Sequence, residues 1–510
     1  MSTTLLKKGS LLLIDGLDTS KPGEYLKDSA SPSTQNFFVD RGLLTKRAGG
    51  STLGASLGEE IMAGVELVRE GTNYNVRIGL DTMQRYDVGS SAWVTISHTP
   101  FTGTTADLFD VAIPLLSGKQ VLIVANGVDA LRQWTGSGNT TDLAGSPPVP
   151  KFVQEYQSYL VCANIQGGTD IDTRVQWSDT ANIENWSTGN SGERDLEEDG
   201  GDITGLNLFG NSLSIHKLTS IYLGYLVGTN SVFRFERKAT GAGTCANSSI
   251  VNLPTGEQIF LGTDGLRIFN GSTAPLIDSP INDEIRDGLN SAFRHKAWGL
   301  LVKELDEAWI GVPIGSQETG ETVYKFNYVN RVMYKDTRTN ANFAWKASQS
   351  NSITWDDALG TWDSQTDRWN ETSLTAGTPL IYIGSNTGQT LYVNSLASSD
   401  DGVAFNAFWE TKDFEDENEK RLCRWEQLEL WAKGGTVKLE YSVNAGQTWT
   451  EVSNSPYTLD GDFPLDSSPI VFYFDVISSQ IRFKFSNEAS DGSLVIKQFI
   501  IGYKPREFRR

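Results

Sequence analysis

The chain has 510 residues, of which 38% are hydrophobic, 10% aromatic and 50 are glycine, and its formal net charge is −20. That length allows several domains and a large buried core. The charge excludes ordinary sequence-specific DNA reading, which works by neutralising phosphates with Lys and Arg.

Residues 1–60 read as an extended N-terminal segment. KPGEY and SASPSTQN are turn-rich breakers, and NFFVDRGLLTKRAGG reads as two short strands around Asp40–Gly42. From residue 61 to 402, short alternating apolar runs follow one another at the spacing of an all-β array. Tyr74–Leu80, Met83–Val88, Gln120–Ala125, Ala130–Trp134, Ser158–Ala163, Ser212–His216, Gln258–Gly262, Ala308–Val312 and Leu380–Gly384 are examples. One theme recurs in RIGLDTMQRYDVG (77–89), VLIVANGVDALRQWTG (121–136), FLGTDGLRIFNG (260–271) and YIGSNTGQTLYVN (382–394). Each reads as the central hairpin of a β-propeller blade, with a small apolar strand lining the axis and an aromatic at the blade contact. The repeat has no fixed period, so an array of β-sandwiches stays open beside the propeller.

One helix interrupts the β pattern at 279–296. Ser279 caps it, Pro280 opens it, and Ile281, Ile285, Leu289 and Phe293 form one apolar stripe. It is expected to pack across an outer edge of the β domain. Residues 403–510 carry longer alternating strands, among them PIVFYFDV and QIRFKFS, and read as a C-terminal antiparallel β-sandwich. The fold class is thus all-β: a propeller-like body, a C-terminal sandwich and one short amphipathic helix.

Charge and cysteine usage add context. Residues 1–50 hold seven basic and five acidic groups, and 504–510 hold four basic and one acidic, so basic ends flank an acidic body. Cys162, Cys245 and Cys423 show no paired spacing, which fits a reducing compartment. No signal peptide and no membrane span are expected. His98, His216 and His295 have no zinc-type spacing, and neither a nucleophile elbow nor a phosphate-cradling loop is present. No cofactor, metal or catalytic residue is therefore assigned.

Three local motifs are candidates for more than packing. Ser442, Asn444, Gly446, Thr448 and Trp449 resemble the Asp-box of sialidases, S-x-D-x-G-x-T-W, with Asn in place of Asp; the motif is read as a structural turn. Trp355, Trp362 and Trp369 recur every seven residues, each followed by Asp or Asn, and suit clefts closed by Asx turns or a carbohydrate-stacking platform. Asp195, Glu197, Glu198 and Asp199 belong to an acidic run without calcium-loop spacing, read as a solvated loop or an acidic pore rim.

Three segments together resemble one family. They are Asn36–Asp40 with Gly42, Lys46, Arg47 and Gly49; Trp355–Trp369; and Glu410–Phe414 followed by Arg421, Arg424 and Tyr441–Trp449. The combination is similar to tail nozzle and packaged-DNA stabilisation proteins of short-tailed bacteriophages. The resemblance implies a virion tail protein assembled in the host cytoplasm, a homo-oligomer of six copies in a ring, and double-stranded DNA passing through the central channel. It also implies contact with a tail adaptor protein on one side and with spike, fibre or needle proteins on the other. Basic ends on an acidic body suit docking between copies, and an acidic channel wall would let DNA slide. The alternative function is a glycan-binding or glycan-cleaving propeller of the Asp-box type.

Overall fold

The computed structural model describes residues 6–168, 170–228, 231–277, 281–348, 379–394, 397–416, 421–459, 469–490 and 492–506. Seven small antiparallel sheets follow one another along the chain. Blade 1 is the meander Ile61–Arg69, Thr72–Gly79, Met83–Asp87 and Ala92–Thr95. Blades 2, 3 and 4 span 110–142, 149–195 and 203–240 on the same plan, blade 5 spans 251–269 with three strands, and blade 6 spans 298–337. Blade 7 takes three strands from 341–394, and its fourth is Gly49–Thr52, which pairs with Thr390–Asn394.

The core shows why these sheets form a ring. Its apolar side chains fall into wedges, one between each pair of successive blades. Met83, Leu122 and Trp134 fill the first wedge, between blades 1 and 2. The following wedges centre on Ile123 with Cys162, Val175 with Ile215, Ile221 with Phe260, Ile259 with Ile310, and Trp309 with Ile383. Ile61, Trp345 and Tyr382 then join blade 7 back to blade 1. A strand whose two faces each meet a neighbouring sheet must be apolar on both, which is why Tyr159–Ile165 is buried throughout. At the closing contact Gly64 has no substitute: a Cβ there would lie 2.2 Å from the Trp345 ring. The body is therefore a seven-bladed β-propeller, closed by a strand from the N-terminal segment.

The four recurrent motifs do form central hairpins, the second and third strands of blades 1, 2, 5 and 7. Their first strands do not line the axis, however. That place belongs to Ile61–Arg69, Asp110–Ala112, Val149–Tyr156, Ile203–Phe209, Val251–Asn252, Trp298–Val302 and Ala341–Ser348. The motif strands are small and apolar because they pack between blades. The motif aromatics do sit at those contacts, as where Trp134 meets Tyr74 of blade 1 edge-on at 5.2 Å.

The helix is shorter than its sequence stripe. Helix α1 covers Ile281–Gly288, with Ile281 and Ile285 fully buried; Ser279 and Pro280 lie outside the described residues. Leu289 bridges to Ile314 and the Asn290 amide donates to the Pro313 carbonyl, so the chain leaves the helix to meet blade 6. A short 3-10 turn, Arg294–Lys296, follows. The helix packs against blade 5, whose third strand is bridged on its outer edge by residues 273–277 (Arg267 to Leu276) without a regular fourth strand among the described residues, and Glu284 pairs with Lys335 of blade 6.

The C-terminal domain is a two-sheet sandwich. One sheet orders Phe37–Asp40, Leu43–Lys46, Val495–Pro505, Cys423–Lys433 and Ile470–Ser478, with Leu6–Leu11 added to Val495–Pro505. The other orders Thr34–Gln35, Ala407–Glu410, Gln480–Asn487, Thr436–Ser442 and Thr450–Glu451. Trp409, Trp425, Phe472, Phe483, Phe485 and Phe499 fill the space between them and are wholly buried. Residues 6–46 are thus not a separate segment. They are extended, as their sequence suggests, but their strands pair with C-terminal strands, Leu17 and Asn36 bond to the backbone of blade 6, and Gly49–Thr52 belongs to blade 7.

Candidate functional site

The polar residues singled out by sequence fall in separate places. The Asp-box-like turn joins two strands of the sandwich, not of the propeller. Ser442 Oγ donates to Asn444 Oδ1 at 2.8 Å and accepts from the Gly446 amide at 2.9 Å. Asn444 Oδ1 also accepts from the Thr448 amide at 3.0 Å, and Asn444 Nδ2 donates to Thr448 Oγ1 at 2.9 Å. Asn makes the turn's acceptor contact and adds a donor that Asp would not have. Gly446 sits at φ +85° with Arg482 packed against it. Trp449 is half-buried, with Lys484 Nζ 5.3 Å from its ring centre.

The acidic run forms the outer strand of blade 3 and the loop after it. Arg174 holds Asp195 through two hydrogen bonds of 2.7 and 3.0 Å and meets Glu193 at 3.0 Å. The Arg174 bond keeps Asp195 below the usual carboxylate range. Asp199 is a partner of the fully buried Lys217 at 2.9 Å and accepts from Tyr222 at 2.6 Å. Burial alone would raise its pKa, but hydrogen bonds from Ser220, Tyr222 and Lys217 outweigh it and lower it. Glu197 and Glu198 stand exposed beside a surface cleft of about 420 Å³ shared with Arg174, Glu193, Arg194 and Asp195. Asp199 is therefore an internal counter-charge, and Asp195 is a paired surface one. No group of three or more metal-ligating side chains occurs among the described residues. Trp355, Trp362 and Trp369 lie outside the described residues.

Of the other two family-like segments, the first lies at the junction between propeller and sandwich and the other lies within the sandwich. Arg47, 1% exposed, makes a 2.6 Å ion pair with Asp400, donates to Asn36 Oδ1 at 2.9 Å and to the Thr337 carbonyl at 3.0 Å, and stacks 3.5 Å from Phe405. Arg338 of the blade 6 end reaches Asp400 at 3.4 Å and the Ala48 carbonyl at 3.1 Å. Burial would raise the Asp400 carboxyl, yet the two arginines hold it low. Nearby in the sandwich, Arg482 forms a two-pronged pair with Asp413 at 2.9 and 2.6 Å and meets Glu410 at 3.4 Å.

One polar feature was invisible in the sequence. In an antiparallel meander, the connections into the first strand and between the second and third leave from one face. On that face the Arg294–Lys296 turn meets distant blades. Lys296 pairs with Glu60, just before blade 1, at 2.7 Å. His295 lines a cleft of about 250 Å³ with Asp107 and Leu108 just before blade 2, Asn126 within it, and Lys151 and Phe152 of blade 3. Burial, then the charges of Lys296 and Arg294, lower the His295 pKa. Only the ring closure brings these residues together, so no spacing in the chain announces them.

No helix among the described residues is long and apolar enough to cross a membrane, which leaves strand-built spans untouched. No protein-family model matches the chain. No curated protein matches it either. Among solved structures, it is similar to PorZ, a surface component of the type-IX secretion system of Porphyromonas gingivalis, at 11% identity and TM-score 0.35 over 79% of this chain. The match covers 46% of PorZ, so the chain spans about half that protein's length. It is also similar to BamB from Moraxella catarrhalis (10% identity, TM-score 0.36, 69% of this chain and 100% of that one). A third similarity is to the extracellular domain of the hybrid two-component system BT4673 from B. thetaiotaomicron (13% identity, TM-score 0.34, 67% and 51%).

Proposed function

We propose that the chain is a structural component of a bacteriophage tail, a nozzle or hub that forms a ring around the DNA channel, retains the packaged genome and conducts it during ejection. One observation carries this reading. Of the three segments that resemble the nozzle family, the first supplies Arg47, buried and paired with Asp400 at the propeller–sandwich junction, and the third supplies Glu410 and Asp413, paired with Arg482 inside the sandwich. The Arg47 pair ties the two domains to each other, which suits a part that must close a ring with copies of itself. The net charge of −20 favours a wall that DNA slides past over one that grips phosphates. The exposed Glu197–Glu198 tip is a candidate part of such a wall.

The test is the mass of the purified full chain by light scattering, with negative-stain imaging. Closed rings of six, and no retardation of double-stranded DNA at low salt, are the expected results. A stable monomer that binds or hydrolyses a glycan would overturn the proposal and favour the Asp-box alternative.

A further inference from the structure

Blade 6 buries three ionisable side chains on one face. Glu307, Lys325 and Asp336 stand on its second, third and fourth strands, Glu307–Val312, Thr322–Asn327 and Val332–Thr337, and none is more than 2% exposed. The pairing register brings them together. Lys325 lies opposite Trp309 on one side and Tyr334 on the other, so Glu307 and Asp336, each two residues along, are its diagonal neighbours on the same face. Lys325 forms an ion pair with Asp336, yet both Asp336 carboxylate oxygens are shielded from water and accept no hydrogen bond among the described residues. The two groups thus meet outside hydrogen-bond geometry, which forfeits much of what offsets the cost of burying charge. Arg338, just beyond the fourth strand, bonds Asp400 and the Ala48 carbonyl instead. Aromatic rings close the site: the Lys325 ammonium lies 4.3 Å from the Trp309 ring centre and 5.3 Å from that of Phe38 in the sandwich. Glu307 accepts from Trp309 Nε1 at 2.7 Å. Burial raises the Glu307 pKa, against the Lys325 charge and the Trp309 bond, which favours its protonated form.

We propose that Lys325 and Asp336 condense to an amide, a self-made cross-link between the third and fourth strands of blade 6, with Glu307 as the acid–base group. A proton passes from the Lys325 ammonium to the Asp336 carboxylate, leaving a free amine and a carboxylic acid. The Nζ lone pair attacks Asp336 Cγ and the C–N bond forms. Glu307 then passes a proton from the nitrogen to the departing hydroxyl and ends in its starting state. The C–O bond breaks and one water leaves, so atoms and charge balance without an oxidant or reductant. In bulk water such a condensation is unfavourable. In blade 6 the strands hold nucleophile and carbon side by side, which removes the entropic cost of bringing them together. The product also replaces two buried charges with a neutral amide, which the apolar surroundings favour. The strand so linked is the one that carries the N-terminal segment, because the Leu17 and Asn36 amides donate to the Met333 and Lys335 carbonyls. The cross-link therefore fastens blade 6 where the sandwich is attached to it. The inference does not depend on the tail reading.

Mass spectrometry of the full-length protein under denaturing conditions tests it. The expected mass is one water below that of the sequence, and a protease digest should yield a branched peptide joining Lys325 to Asp336. Lys325→Met and Asp336→Ala should keep their full sequence masses. So should Glu307→Gln, folded by circular dichroism, in which both reacting groups remain. Wild-type protein at its full sequence mass would overturn the proposal whatever the variants do, and so would a water loss that maps to another position. The branched peptide at wild-type yield in Glu307→Gln would overturn the part given to Glu307.

Discussion

The propeller and the sandwich solve the same burial problem by opposite routes. In blades 1 to 6 each strand pairs with a neighbour close in sequence, and each wedge of core joins consecutive blades. In the sandwich Leu6–Leu11 pairs with Val495–Pro505, and Thr34–Gln35 with Ala407–Glu410, so its sheets need both ends of the chain. Local pairing costs little loop-closure entropy, whereas end-to-end pairing carries the closure entropy of the whole intervening chain. The sandwich thus closes the molecule, and the Arg47–Asp400–Arg338 cluster welds the two regions where the routes meet.

Loss of the weld should have the largest effect on how the two domains unfold. Asp400→Ala leaves Arg47 and Arg338 buried without their shared counter-charge, which costs about 3–5 kcal/mol. Urea unfolding followed by far-UV circular dichroism should show a single wild-type transition separating into two. A shift below about 1 kcal/mol would mean that the domains are held together elsewhere.

A smaller effect isolates the propeller. His216 of blade 4 is buried beside Phe260 and Gln258 of blade 5, and burial pushes its pKa down to about 4. The unfolded chain binds this proton near pH 6.5, so the neutral form's stability is complete above that pH. It is lost as pH falls towards about 4, by about 3 kcal/mol at most. The urea midpoint should therefore drop between pH 7 and pH 5, and the His216→Gln variant should show a flatter profile. An unchanged slope in that variant would assign the acid sensitivity to other groups.

The least costly change probes the sandwich turn. Gly446→Ala places a Cβ at φ +85°, 2.9 Å from Arg482, and should cost about 1–2 kcal/mol in thermal melting. Asn444→Asp keeps the acceptor of the turn and should fall within about 0.5 kcal/mol of the parent. A larger loss for Asn444→Asp would show that the Nδ2 bond to Thr448 dominates the turn.

Much of the architecture was legible because propellers are local. The hairpins at 77–89, 121–136, 260–271 and 382–394 announce themselves through apolar strands, polar turns and a closing aromatic, all within reach of short-range periodicity. The helix was legible in place but not in length. Its four-residue stripe continues through Leu289 and Phe293, yet contacts with Pro313 and Ile314 end it at Gly288. The acidic run looked uniform, but Lys217 and Tyr222 draw Asp199 inward while Arg174 pairs Asp195 at the surface.

What the amino-acid sequence determined by itself is the all-β class, the blade-like hairpins, the sandwich character of the C-terminal strands and the turn at Ser442–Trp449. These follow from alternation, turn chemistry and side-chain size, which act over a few residues. Only the tertiary structure decided the seven-blade count, the closure by Gly49–Thr52, the shared sandwich of both chain ends and the meeting of Arg47 and Arg338 at Asp400. Those depend on pairings between distant segments, where each strand accepts whichever complementary edge and apolar face the rest of the chain presents.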